Sequence, residues 1–288
     1  MARDPKVISF FDDRTYTITH IVICQETGVA AIIDPVLDYD AAAGRTYKES
    51  AEAVINQVGQ DNLKIEWILE THVHADHLTA APYMKDALGG KTGIGANVGK
   101  VQETFKKIFN AEDAFATDGS QFDHLFADGE EFRIGNLTAR VIHTPGHTPA
   151  CVSYVIGDAV FIGDTMFSPD YGTARCDFPN GDAKQLYQSI QKILSLPDET
   201  RIFLCHDYMP GGREVMMQTT VAEQKAANIH LKDCKDADAF AEMRNTRDAK
   251  LSMPALIIPS VQVNMRGGHM PPPEDNGVSY LKTPIDLL

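Results

Sequence analysis

No apolar run in this 288-residue sequence approaches the ~20 residues that a membrane-spanning helix requires, so an integral membrane helix is excluded. Met1 to Asp13 lacks the apolar core of a secretory leader. Cysteine is scarce: Cys24, Cys151, Cys176, Cys205 and Cys234 are odd in number, widely scattered and never spaced CxxC. That pattern excludes a disulfide framework and suits a reducing compartment. Positive charge is also short, with 26 Lys and Arg against 40 Asp and Glu and a net charge of −14. Non-specific nucleic-acid binding needs a basic face and is therefore not expected. An anionic ligand must be held by a local cluster of arginine, lysine or metal, because the overall field repels it. These absences describe a cytoplasmic globular protein.

The sequence is 43% hydrophobic, enough for one large core or two modest ones. Strand-like runs occupy Val7–Phe11, Tyr16–Cys24 and Val29–Ile33, and Asp34-Pro35 ends the third because proline cannot continue a central ladder. Glu49–Val58 carries apolar residues at helical spacing, and Lys64–Leu69 is a short apolar strand. Pro82–Leu88 and Gly95–Asn110 read as helical pieces, and Arg133–Ile142 as two runs about Gly135-Asn136. Val152–Ile156 and Ala159–Ile162 flank Gly157-Asp158, a two-residue hairpin signal. Ala183–Leu194 is a helix, and Arg201–Cys205 is a last core strand. No alternating βαβ array is evident. The expected architecture is α+β, a four-layer αββα sandwich of two mixed sheets packed face to face with helices outside. Residues 1–210 form the core. Residues 211–288, with helical stretches Thr219–His230 and Ala237–Arg247 and a proline-rich tail from Pro254, read as an extension packed on it.

Four strand ends deliver metal-ligating residue types. They are His72-x-His74-x-Asp76-His77, then His147 in a Thr-Pro-Gly-His turn, Asp164 in Gly163-Asp164, and His206 in His206-Asp207. A rigid sheet holds side chains at its edge with the accuracy that coordination demands. Imidazole and carboxylate together suit zinc, iron or manganese. A lone histidine is ordinarily a hydrogen-bonded surface or core residue, which is the reading for His20, His124, His143, His230 and His269. Three histidines and an aspartate within six residues after an apolar strand are a different matter.

The sequence HxHxDH followed by GH, GD and HD resembles the metallo-β-lactamase superfamily over about residues 8–210. Within it, three features are similar to the persulfide dioxygenases, a branch related to glyoxalase II. Thr71–Ala80 reads THVHADHLTA, without the glycine pair usual in glyoxalase II. Gly172–Phe178 resembles the branch's G-x-x-R-x-D-F stretch, and Gln262–His269 with the following prolines resembles the tail of bacterial members.

The resemblance implies the metallo-β-lactamase fold and one iron(II) per chain, carried by His72, His147 and Asp164. Such a 2-His-1-carboxylate triad leaves coordination positions open. Asp76, His77 and His206 would then assist catalysis, with His74, by hydrogen bonding from around the metal. In dinuclear relatives His74 completes the first site, while Asp76, His77 and His206 hold a second metal and Asp164 bridges. The implied substrates are glutathione persulfide and O2, giving sulfite and glutathione. Glutathione has two carboxylates, for which Arg175 is the expected anchor and Tyr208 a further contact. Arg213, Lys225 and Arg266 are weaker sources of charge, and Arg175 could instead pair with Asp177 or Asp182. Cys176 and Cys205 read as small buried hydrophobes. A sulfurtransferase as a separate protein and a second copy of the chain are the partners the resemblance suggests. The alternative is a dinuclear thioester hydrolase of the glyoxalase II type, which shares the fold, the ligands and the glutathione moiety.

Overall fold

The computed structural model describes residues 4–287. β1 (Lys6–Asp12), β2 (Thr17–Cys24) and β3 (Val29–Ile33) form an antiparallel meander. β4 (Val36–Asp40) and β5 (Arg45–Tyr47) lead to α1 (Glu49–Gln60) and β6 (Lys64–Leu69). β7 (Leu78–Thr79), α2 (Ala81–Leu88), β8 (Lys91–Gly95), α3 (Val98–Ile108) and β9 (His124–Phe126) complete the first half. The first sheet has the order β1-β2-β3-β6-β8-β9, and β4, β5 and β7 form a small separate sheet.

The second half runs β10 (Glu131–Ile134), β11 (Leu137–His143), β12 (Val152–Ile156), β13 (Ala159–Phe161), α4 (Ala183–Leu194), β14 (Arg201–Phe203) and β15 (Gln218–Thr220). These six strands form the second sheet in sequence order, with only the β13–β14 pair parallel. The chain ends with α5 (Val221–Ala227), α6 (Ala237–Asp248) and α7 (Ile257–Asn264).

Alternation along each strand sorts side chains into layers. Val22, Ala31, Ile33 and Leu69 of the first sheet meet Ile134, Val141, Tyr154 and Phe161 of the second in the central core. Their neighbours Ile21, Ile23, Ile32 and Ile68 face outward onto Val54, Val58 and Met84 of α1 and α2. On the far side Val160 and Ile202 pack under Leu186, Ile190 and Ile193 of α4 and Phe240 of α6. Both faces of both sheets are covered, which is the αββα sandwich. Each fully buried Ile, Val, Leu or Phe in these layers contributes ~1.5–3 kcal/mol of transfer free energy.

Three local readings are corrected. β3, β6, β8 and β9 are parallel and joined through α1, α2 and α3, so the first sheet does contain a βαβ array. Its signal is hidden because β8 is the glycine-broken run Lys-Thr-Gly-Ile-Gly and β9 has three residues. The stretch expected as helix from Thr219 opens as β15, and its helix stops at Ala227. There the next residue, Asn228, turns out of the helix and its amide donates to the Gly172 carbonyl at 3.1 Å. The proline-rich tail contains α7. Pro259 sits in its first turn, where no backbone N–H has a helical partner to lose. No helix among the described residues is long and apolar enough to cross a membrane.

Candidate metal centre

β6, β11, β13 and β14 all release their chains at one edge of the sandwich, where the two sheets meet. The Ile18 amide donates to the Cys205 carbonyl at 2.7 Å and ties β2 to the segment after β14. Asp34, in a left-handed conformation after β3 (φ 51°), anchors the histidine loop. Its carboxylate accepts from the Thr71 amide and hydroxyl, both at 2.8 Å, and from His74 Nε2 at 2.9 Å. Gly163 has φ +49°, and a Cβ there would lie 2.6 Å from Thr71 Oγ1. Only glycine lets the Asp164 turn approach the loop this closely.

Each histidine of the cluster has one ring nitrogen held and the other left over. His147 Nδ1 donates to the Arg175 carbonyl at 2.8 Å, and His206 Nδ1 to the Tyr16 carbonyl at 3.3 Å. His74 uses Nε2 on Asp34, with Glu70 Oε2 at 3.3 Å. His77 Nδ1 lies 3.0 Å from Asp76 Oδ2, and His72 Nδ1 lies 3.0 Å from Thr71 Oγ1. This leaves His72 Nε2, His74 Nδ1, His77 Nε2, His206 Nε2 and Asp164 Oδ1 buried with no hydrogen-bond partner among the described residues. Asp164 Oδ1 does lie 3.3 Å from His206 Nε2, but outside hydrogen-bonding geometry. A buried polar atom left unpaired costs about 1–3 kcal/mol. Several of them in one cluster fit a bound cation. Burial pushes the His74 imidazole down, but Asp34 and Glu70 outweigh it and hold it well above the usual histidine range, so its Nδ1 would shed a proton to ligate.

The ligand atoms of His72, His147 and Asp164 lie within 4.8 Å of one another, so the structure assembles the three residues of the expected triad. A second group with the same spacing is His74, Asp76 and His77, and a third is His74, Cys205 and His206. The Cys205 thiol points at Asp34 Oδ2, 3.6 Å away. Burial, then the neighbouring imidazoles of His74 and His147, hold His72 well below the usual histidine range. Burial pushes the Asp76 carboxyl up, but the facing His206 and His77 rings outweigh it and keep it well below the usual carboxylate range.

A cavity of about 230 Å³ opens from the cluster. Asp76, His147 and Asp164 line one end, Phe167, Tyr171 and Tyr208 the wall, and Arg175, Arg244 and Arg247 are also part of its lining. Tyr208 stacks on Tyr171 with ring centres 4.6 Å apart and on His206 at 5.8 Å. Burial, then the charges of Asp164 and Asp76, keep its phenol protonated.

The Arg175 side chain is already engaged: Nε and Nη2 each lie 2.6 Å from the Asp177 carboxylate, and Nη1 donates to the Ser252 carbonyl at 2.8 Å. Arg244 is buried, pairs with Asp248 at 2.6 Å and donates to the Thr173 carbonyl at 3.0 Å. Arg247 is exposed at the cavity, and its guanidinium has no hydrogen bond or ion pair among the described residues. Arg213 pairs with Asp170 and Asp207, Lys225 with Asp198, and Arg266 with Glu112, and none of the three lines the cavity. Cys176 and Cys205 are buried, and burial pushes both thiols up.

Sequence reading missed Asp34, Glu70, Arg247 and Asn264. Asp34 had a usable signal, an acidic residue at a strand end before proline. Asn264, on α7, lies in the Gln262–His269 stretch that carries part of the resemblance, but nothing in its residue type pointed to the histidine loop.

The family model for the metallo-beta-lactamase superfamily matches residues 16–206. A probable metallo-hydrolase of Burkholderia pseudomallei (strain 1710b) is 52% identical over 98% of this chain and 99% of that protein. Glyoxylase B2 of Dictyostelium discoideum is 51% identical over 100% of this chain and 99% of that protein. The mitochondrial persulfide dioxygenase ETHE1 of Mus musculus is 30% identical over 91% of this chain and 89% of that protein. Among solved structures, ETHE1 from Myxococcus xanthus superposes with a TM-score of 0.73 at 30% identity, covering 92% of this chain and all of that one.

Proposed function

The chain belongs to the metallo-β-lactamase superfamily, and from that premise we propose that it is a persulfide dioxygenase acting on glutathione persulfide. The observation that carries the reading is the cavity, which joins a 2-His-1-carboxylate cluster to arginine side chains in a protein of net charge −14. An anionic thiol reaching the cluster through such a cavity finds positive charge where the overall field offers none.

The reaction balances as glutathione persulfide, O2 and water giving glutathione, sulfite and two protons. The terminal sulfur loses four electrons and O2 accepts them. His72, His147 and Asp164 would hold the metal. Bound iron(II) would supply the redox chemistry that O2 activation requires and that zinc lacks.

The protein's own groups supply the rest. Asp76, His77 and His206 stand beside the triad to orient water and move protons. Tyr208 offers a protonated hydroxyl at the wall of the cavity, and its ring with those of Phe167 and Tyr171 limits water there. Arg247 offers a cation for a glutathione carboxylate, and Arg175, whose guanidinium is shared with Asp177, lines the same cavity.

A specific observation favours a second reading, a dinuclear thioester hydrolase. His74 keeps a free nitrogen for the first site, and His77 and His206 keep one each to hold a second metal with Asp76. Two relatives at 51–52% identity carry the names glyoxylase and probable metallo-hydrolase. One experiment on anaerobically prepared protein separates the two. Bound metal, O2 uptake with glutathione persulfide and hydrolysis of S-lactoylglutathione are measured side by side. One iron per chain with persulfide-dependent O2 uptake is expected. Two metals with thioester hydrolysis and no O2 uptake would overturn the proposal in favour of the hydrolase.

A further inference from the structure

Helix α7 ends at Asn264, whose buried side chain reaches the histidine loop from the far end of the sequence. Its Nδ2 donates to the His74 carbonyl at 2.9 Å and to the His77 carbonyl at 2.7 Å, while its Oδ1 accepts from the Thr79 amide at 2.9 Å. One carboxamide thus satisfies two acceptors and one donor of the loop backbone. Aspartate has the same shape but would set a carboxylate against two carbonyl oxygens, and an apolar residue would leave all three groups buried and unpaired.

The close approach is built from both sides. Gln102 Nε2 donates to the Met265 carbonyl at 2.9 Å and pins the helix end to α3. Gly268 lies against the loop with φ +90°, where a Cβ would come 2.5 Å from Pro82 Cδ and 3.0 Å from Thr79 Cγ2. The carbonyls that Asn264 holds belong to two residues whose free ring nitrogens, His74 Nδ1 and His77 Nε2, face the cluster. Fixing those carbonyls fixes where the two Cα atoms sit and where the rings point.

We infer that Asn264 is a positioning residue for the metal centre, holding the backbone from His74 to Thr79 so that the C-terminal extension forms part of the site. The inference depends on the centre and not on the reaction assigned to it. It is tested with N264D and N264S in the full chain, loaded with Co2+ alone. Co2+ affinity is read by chelator competition, ligand geometry by the visible absorption of bound Co2+, and fold integrity by the melting temperature of metal-free protein. Gln262 supplies the control, because it is equally buried in the same helix but its amide bonds only Ile258 and Lys282.

N264D and N264S should weaken Co2+ binding ~10–100-fold and change the spectrum, as loss of a group that orients ligands does elsewhere. Q262A should lower the melting temperature and leave affinity and spectrum unchanged. N264S adds no charge and keeps the test readable if N264D does not fold. Affinity in N264S within about twofold of the parent would overturn the inference, given the 10-fold minimum expected of such a group. Equal weakening by Q262A would overturn it too, by showing a general effect of loosening α7.

Discussion

The two sides of the cavity are made from different parts of the protein. The metal side comes from four strand ends of the sandwich, spread over residues 72–206. Much of the arginine side comes from α6 and the segment after it, with Arg244, Arg247, Leu251 and Ser252. Strand ends are fixed by cross-strand hydrogen bonds on both sides, so they suit a ligand set that tolerates little movement. A helix laid on the outside can change its surface residues without disturbing that set. On the proposed function, the difference separates chemistry from recognition: the sheets carry the candidate metal ligands, and α6 supplies charge that a substrate would meet.

His72→Ala would break the metal side outright. Activity should fall by ~10³-fold or more and bound metal should be lost, because an open triad with one imidazole gone has two ligands left. Metal retained in His72→Ala protein would show that His72 is not a ligand.

Arg244→Met attacks the other side through its foundation. Arg244 and Asp248 are a buried pair, and Asp248 also accepts from the Cys176 amide at 2.8 Å, which fixes the segment carrying Arg175. Breaking such a pair leaves a buried carboxylate uncompensated and should cost about 3–5 kcal/mol in denaturant unfolding. Metal content of the folded fraction should stay at the parent value.

Arg247→Ala is the finer probe. Losing one charge-assisted contact should raise KM for glutathione persulfide ~10-fold with kcat and metal content unchanged. A fall in kcat instead would place Arg247 in the chemistry and erase the division between the two sides.

His20 sharpens the comparison from outside both sides. It is buried with its ring edge-on to Phe161 and Phe203, and burial pushes its imidazole down to about 4. In the unfolded chain it titrates near 6.5. Between these values the unfolded state binds the extra proton, so stability falls as pH falls, by up to ~1.4 kcal/mol per pH unit. His20→Gln should remove that share of the acid slope in urea unfolding between pH 6.5 and 4. An unchanged slope would mean His20 is charged in the folded protein.

Much of the metal side was legible from residues alone. The run from His72 to His77, His147, Asp164 and His206 all lie where strand-end reading placed them. The Gly172–Phe178 stretch was legible only in part. Arg175 was read through its side chain, yet its backbone carbonyl is what holds His147, while its guanidinium is paired with Asp177. Backbone contacts leave no trace in residue identity. Arg247 looked like any charge on an exposed helix, and Asn264 like any polar residue in a tail. Each acquires meaning only from what lies across from it.

The sequence by itself determined the residue types of the ligand set, the alternation that makes two sheets, and a charge balance that confines anion binding to a local site. Those are properties of spacing and side-chain chemistry along one chain. Tertiary structure decided which nitrogen of each histidine faces the cluster, which of the cavity's arginines has no side-chain partner among the described residues, and that α7 clamps a loop about 190 residues away. Ring tautomer and ion pairing depend on the partner within hydrogen-bonding reach, and that partner is fixed by packing.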